Sequence, residues 1–226
     1  MRHLLESPFA TVRRQAAEAL GRLNDPQSLP ILLKAMRDPE LQVRKAIVRA
    51  LGEIGDPAPV PHLVDILNDI NEFPRREAAW ALGRIGDQRS VPFLVSALDD
   101  VDPWIRSACA EALGTLEATD ALDILIDFLR DYSWFVRRET ALALGKIGDK
   151  RAVKPLMDRL YDDYPEVRGA AALSLGMLNA TEAVDVLIPL LRDMTVQING
   201  VTVASTVADS LAVLGINPED TDFADV

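Results

Sequence analysis

Residues 56–86 read DPAPVPHLVDILNDINEFPRREAAWALGRIG, a stretch of 31 residues that encodes two helices and two turns. Asp56 followed by Pro57 is a helix N-cap with proline at the first helical position, where its missing N–H is no loss. Val60, Leu63, Val64 and Leu67 recur at the spacing of one helical face, and this first helix ends near Asn68 and Asp69. A second helix is predicted from about Pro74 to Ile85. Other copies give its apolar face: Val12, Ala16, Ala19, Leu20 and Leu23, then Val43, Ile47, Ala50, Leu51 and Ile54. Such a helix pair buries its apolar faces only by stacking on further copies of itself.

Those copies are present. Leu-Gly returns at Gly21, Gly52, Gly83, Gly114, Gly145 and Gly176, a fixed interval of 31 residues. Three residues beyond each glycine stands Asn24, Gly55, Gly86, Glu117, Gly148 or Asn179. All but the glutamate are types that tolerate the left-handed backbone that stops a helix. The fold expected is all-α, a solenoid of antiparallel helix pairs over residues 1–216. It would comprise a partial first repeat at 1–24, repeats near 25–55, 56–86, 87–117, 118–148 and 149–179, and a last repeat at 180–216.

The last copy is irregular. Leu214-Gly215 falls 39 residues after Gly176, which predicts an eight-residue excess within MTVQINGVTVAS at 194–205. Apolar residues alternate around Asn199-Gly200, the signal for a small β-hairpin with a type I′ turn, inserted before a helix at about Ser205 to Leu214. Such a hairpin would serve as a lid on the last repeat or as a contact finger. At the other end Leu4 and Leu5 align with Ala35 and Met36, so only the tail of a first helix precedes the helix at 9–23. The residues from 217 to 226 form an acidic tail.

Composition narrows the function classes. The chain has 226 residues and a formal net charge of −11, which argues against nucleic-acid backbone or an anionic bilayer as partner. One cysteine, Cys109, rules out a disulfide framework and suits a reducing, cytoplasmic setting. It falls in the core column of Ala16, Ile47 and Ala78, as a packing residue rather than a nucleophile. His3 and His62 have no metal-ligand spacing to Cys, Asp or Glu, and no glycine-rich phosphate loop occurs, so no catalytic or metal residues are assigned.

Two polar columns also repeat. Arg13, Arg44, Arg75, Arg106, Arg137 and Arg168 hold one position; Asp38, Asp69, Asp100, Asp131, Asp162 and Asp193 hold another, just after the first helix. They make either an anion-binding track or a ladder in which turn carboxylates hold arginines across neighbouring repeats.

The segments VRRQAAEALGRLNDPQSLPILLKAM and PRREAAWALGRIGDQRSVPFLVSAL resemble HEAT repeats, specifically the short HEAT-like repeat named after the phycobilisome lyases, and the resemblance covers about residues 4 to 216. It implies a right-handed α-solenoid that serves as a scaffold or, in the lyases, acts on phycobiliprotein subunits to attach or detach a linear tetrapyrrole. REAAWALG around Trp80 is similar to a Tyr-Tyr-Ala-Ala-Trp-Trp-Leu stretch of one lyase subunit. It differs in carrying Arg76 and Glu77 for the tyrosines and Ala81 for the second tryptophan. Some of these lyases are heterodimers, which implies a second HEAT-repeat subunit as partner.

The candidate site comes from exceptions on the solvated side of the second helices. Positions such as Glu18 and Arg49 are occupied further on by Trp80, Leu142 and Leu173, and the column of Thr11 holds Phe73, Trp104 and Phe135. Phe73, Trp80, Trp104, Phe135 and Leu142 would form an apolar strip flanked by Arg49, Arg76, Arg84 and Arg138. Aromatic anchors with an arginine rim suit a protein hot spot or a flat anionic ligand. Alternatively, Phe73, Trp104 and Phe135 staple helix starts. The function expected is a non-enzymatic scaffold that binds a protein partner on its inner helical face and needs no cofactor. The alternative is a phycobilin lyase or related chromophore-handling factor, with bilin as ligand and a phycobiliprotein as partner.

Overall fold

The computed structural model describes residues 2–69 and 74–217; Phe73 and the tail residues 218–226 lie outside them. The chain forms two compact units, Met1–Leu116 and Glu117–Val226.

In the first unit a short 3₁₀ turn, Arg2–Glu6, precedes α1 (Ala10–Leu23). Then come α2 (Leu29–Ala35) with α3 (Leu41–Ile54), and α4 (Val60–Asn68) with α5 (Arg75–Ile85). The unit closes with α6 (Val91–Ser96) and α7 (Pro103–Thr115). The second unit holds the pairs α8 (Leu122–Phe128) and α9 (Trp134–Ile147), then α10 (Val153–Arg159) and α11 (Pro165–Met177). It ends with α12 (Val184–Leu187) and α13 (Val203–Val213). α5 starts within one residue of the helix read from the 31-residue unit and ends at Ile85 as read, and α4 ends at Asn68 as read. But α4 begins at Val60, three residues after Pro57, because Asp56 accepts the Ala58 N–H in a turn that precedes the helix instead of capping it. Among the described residues no helix is long and apolar enough to cross a membrane.

The repeated leucine is the core. Leu51, Leu82, Leu113, Leu144, Leu175 and Leu211 have no solvent exposure. The glycine beside it sets the spacing of the stack. A Cβ on Gly52 would lie 2.8 Å from the Cα of Ala81, and one on Gly83 would lie 2.8 Å from the Cα of Ala112. Neighbouring second helices therefore touch backbone to backbone, which a side chain at these positions would prevent. The residue three further on ends the helix: Asn24, Gly55, Gly86, Glu117, Gly148 and Asn179 all have positive φ. Glu117, with φ 50, adopts this conformation although its type disfavours it.

One core group is unpaired. The Thr140 hydroxyl on α9 is fully buried and has no hydrogen-bond partner among the described residues. Thr140→Val keeps the shape and removes that orphan, so urea unfolding should show a gain of about 1 kcal/mol. A loss instead would mean that the hydroxyl is satisfied in solution.

The last repeat corrects two expectations. No hairpin of paired strands forms: Val196 and Thr202 make one isolated antiparallel bridge. Gln197 donates to the Val201 carbonyl, and Gly200 donates back to that of Gln197, which gives a three-residue loop, Ile198 to Gly200. Gly200 has φ 83 while Asn199 is not in the left-handed region, so a type I′ turn, which needs both, is absent. The second would-be strand is lost because Thr202 caps α13, its hydroxyl accepting from the Ser205 N–H, and Val203 already belongs to the helix.

The register also shifts. Ser210 packs on Gly176 as Ala81 does on Gly52 and Ser174 on Gly145. Ser174 to Ser210 is 36 residues, so the insertion is five residues, and Leu211-Ala212 occupies the repeat Leu-Gly position. Gly215, with φ 80, is the terminating residue of the helix, equivalent to Gly55.

Candidate functional site

Within each unit, residues of the two polar columns pair along the turns between paired helices. Arg13 donates to both carboxylate oxygens of Asp38 at 2.6 and 2.9 Å and to the Ser7 carbonyl at 2.9 Å. Arg137 repeats this with Asp162 at 2.8 Å and the Asp131 carbonyl at 2.8 Å. Arg75 pairs with Asp100, and Arg168 with Asp193 at 2.7 Å. Each aspartate also accepts a backbone N–H two residues on, as Asp162 does from Tyr164 at 3.1 Å. Each of these arginines thus ties its own turn to the next. These guanidinium groups are engaged within the fold, so the ladder reading replaces that of an anion track.

The unit Met1–Leu116 carries Arg49, Arg76, Trp80, Arg84 and Trp104 of the candidate set. Trp80 is half-buried in the middle of α5, and Arg49 of α3 lies over its ring at 5.2 Å from the centroid. The ring leans against Gly52, where a Cβ would come within 2.9 Å of it. The repeat glycine thus makes room for the indole as well as for the helix. Arg76 and Arg84 stand one turn before and one turn after Trp80, both exposed. Arg76 meets the buried carboxylate of Glu77 at 3.7 Å, and Lys45 reaches the same carboxylate at 3.4 Å. Trp104, 54% exposed, stands in the first turn of α7. With Lys45 and Arg76 it lines an open groove of about 670 Å³ whose apolar walls are Leu41, Pro74, Val101 and Ile105. Asp102 caps that helix by accepting the Trp104 N–H at 2.9 Å.

The unit Glu117–Val226 carries Phe135, Arg138 and Leu142. Phe135 stands edge-on to Trp134 at 5.7 Å, and Trp134 stacks on Tyr164 at 5.7 Å, so Phe135 belongs to an aromatic cluster at the helix start. Arg138 is bound to Glu139. Leu142 is half-buried, and Leu173, the same position on α11, is 43% exposed. Two further residues extend this apolar face. Met177 is 45% exposed and Val213 of α13 63% exposed, in a column that holds Arg22, Glu53, Arg84, Thr115 and Lys146 elsewhere. Sequence reading missed both, although the change from charge to aliphatic at Met177 was a usable signal. It missed Glu77 and Lys45 too; the column of Glu77 holds Ala46, Ala108 and Ala170 but also Gln15 and Glu139, so it gave no distinct signal.

Cys109 is buried on α7, and burial pushes its thiol far above the ordinary range, which leaves no thiolate to act as nucleophile.

The sequence pattern of HEAT repeats is matched over residues 1–79, 71–142, 96–172 and 125–205. No curated protein matches the chain. Among solved structures, the chain is similar to the complex of CpcE and CpcF of phycocyanin lyase from Nostoc sp. PCC7120. The identity is 23%, the TM-score 0.63, and 94% of this chain and 92% of that one are covered. The YibA protein of Escherichia coli is 19% identical with TM-score 0.66, covering 95% of this chain and 80% of that one. A chain from the complex of Kap95p with RanGDP is 15% identical with TM-score 0.68, covering 94% of this chain and 35% of that one. At these identities the likeness is one of fold.

Proposed function

The chain belongs to the HEAT-repeat family, and we propose that within it this protein is a scaffold that binds a protein partner through the face of its second helices. The observation that carries this reading is Trp80, a tryptophan at a position held by Glu18, Arg49 and Glu111 in neighbouring copies, with Arg49 over its ring at 5.2 Å. A half-buried indole braced by guanidinium and backbone is a rigid anchor, and aromatic and arginine residues dominate binding energy at interfaces. Leu142, Leu173, Met177 and Val213 give the second unit an aliphatic face that a partner would cover. A cytoplasmic location fits the lone buried cysteine.

A second reading, a chromophore-handling factor of the phycobilin lyase kind, is favoured by the fold likeness to the CpcE–CpcF complex over nearly the whole of both chains. The REAAWALG segment around Trp80 supports it as well. Here Trp80 would stack on a flat tetrapyrrole, and Arg76 and Arg84 would meet its propionates. The partner would then be a phycobiliprotein or a second HEAT-repeat subunit.

One experiment tests both. The immobilised protein, as wild type and as Trp80→Ala, is offered a lysate of its source organism, and both forms are titrated with phycocyanobilin. A partner retained by wild type and reduced more than about tenfold in the variant supports the scaffold. Equal retention by both forms overturns the role of Trp80. A shifted bilin absorbance band, saturable and lost in Trp80→Ala and Arg84→Ala, moves the assignment to chromophore handling; an unchanged spectrum removes it.

A further inference from the structure

The formal charge of the chain is −11, yet one face runs against it. On α1, α3 and α5 the outward positions recur at i, i+4 and i+8, and these helices are adjacent, Gly21 packing on Ala50 and Gly52 on Ala81. Three positions on three helices make a lattice of nine side chains. Six are cations: Arg14, Lys45, Arg76, Arg49, Arg22 and Arg84. Two are carboxylates, Glu18 and Glu53, and the ninth is Trp80. The same lattice has Ser107, Glu111 and Thr115 on α7, and on α9, α11 and α13 only Arg138 and Lys146 as cations, so the excess belongs to α1, α3 and α5 and is not a property of the repeat.

We propose that this lattice is the docking surface for an acidic segment of a protein partner, with carboxylates on both sides of an apolar residue that seats on Trp80. The proposal rests on the reading of the second-helix face given above and supplies the chemistry of the partner. Charge complementarity selects the occupant. Arg14 is matched by Glu18 at 2.6 Å, and Lys45 and Arg76 share the buried Glu77. Arg49 lies over the indole and Arg84 stands one turn beyond it on α5, both exposed, and Arg22 is exposed on α1, so all three add positive charge to the face that an incoming acidic segment would cover. A peptide can place separate carboxylates beside these three and avoid Glu18 and Glu53. A continuous phosphate backbone cannot, and the acidic remainder of the chain repels it.

The test uses fluorescence anisotropy with the full chain and three labelled synthetic peptides, each with a central phenylalanine flanked by glutamates, glutamines or lysines. A labelled oligothymidine strand is the fourth probe. The glutamate peptide should bind most tightly and weaken as salt is raised. Arg22→Gln and Arg84→Gln should each weaken it by about two- to fivefold, while Glu53→Gln should tighten it, with circular dichroism unchanged. A merely structural role for these exposed residues would leave all three affinities where they were. Equal binding of the glutamate and glutamine peptides, lost in Trp80→Ala, overturns the charge assignment and leaves the anchor standing. Preference for the lysine peptide, or oligothymidine binding as tight as that of the glutamate peptide, overturns the proposal. So does the absence of all peptide binding while the partner is still retained through Trp80. Failure of both the retention and the peptide experiments removes the reading of the face itself.

Discussion

Gly83→Val should destabilise the protein by about 3 kcal/mol or more, as a loss of urea midpoint without loss of helix content in the folded baseline. The Cβ would sit 2.8 Å from the Cα and 2.9 Å from the Cβ of Ala112 on the neighbouring helix, and the clash is with backbone, which cannot rotate away. Relief requires α5 and α7 to separate, and that loosens Leu82 and Leu113, both without solvent exposure. Two effects compete in the milder Gly→Ala change: helix propensity gains about 1 kcal/mol, and overpacking costs about 1–3 kcal/mol. The structure decides between them by distance. At Gly83 overpacking should win, so Gly83→Ala is also destabilising. At Gly176 the nearest atoms, those of Ser210, stand at 3.3 Å, so Gly176→Ala should be close to neutral. Equal effects at the two positions would mean that the glycines are retained for something other than helix contact.

The same glycines show how far the sequence could be read. Because packing and termination recur together every 31 residues, both helices of a repeat and the left-handed residue that ends the second were legible in advance. Where an insertion separates the copies, spacing alone cannot tell a packing glycine from a terminating one, and Leu214-Gly215 imitates the repeat pair. Only the contact of Ser210 with Gly176 fixes the register. An error of three residues turns the face assignment by about 300°, which is why Val213 was not recognised in the column of Met177. The Asn199-Gly200 signal failed for a related reason. A local turn preference competed with the helix start at Thr202 and Val203, and the helix, packed on the core through the fully buried Val203 and Val207, won. Trp80 was legible because its column is otherwise polar or aliphatic. Its brace by Arg49 and its berth at Gly52 were not, since both depend on which helix lies alongside.

Asp162→Ala should cost about 3–5 kcal/mol, the range for leaving one member of a buried ion pair without its partner. The Asp162 and Arg137 side chains are 4% and 12% exposed, so the abandoned guanidinium keeps little water. The substitution also removes the acceptor for the Tyr164 N–H. Asp162→Asn, which can still accept that N–H, should cost less. Arg137→Met in the Asp162→Ala background should recover part of the loss, because an apolar pair tolerates burial that a lone cation does not. The ladder also fixes the pH dependence. Burial pushes Asp162 up, but the hydrogen bonds from Arg137 and the Tyr164 N–H and the nearby positive charge outweigh it, and the carboxyl is held below its ordinary value. Asp38 and Asp193 are lowered in the same way by Arg13 and Arg168. A depressed folded value means that the stabilisation is complete above the unfolded carboxylate pKa of about 3.9 and is lost as pH falls through the folded one. Stability should therefore be insensitive to these groups from neutral pH to about pH 5 and fall steeply below about pH 4. Asp162→Asn should make that fall shallower. A variant that retains the wild-type acid slope would place the responsible carboxylates elsewhere than in the ladder.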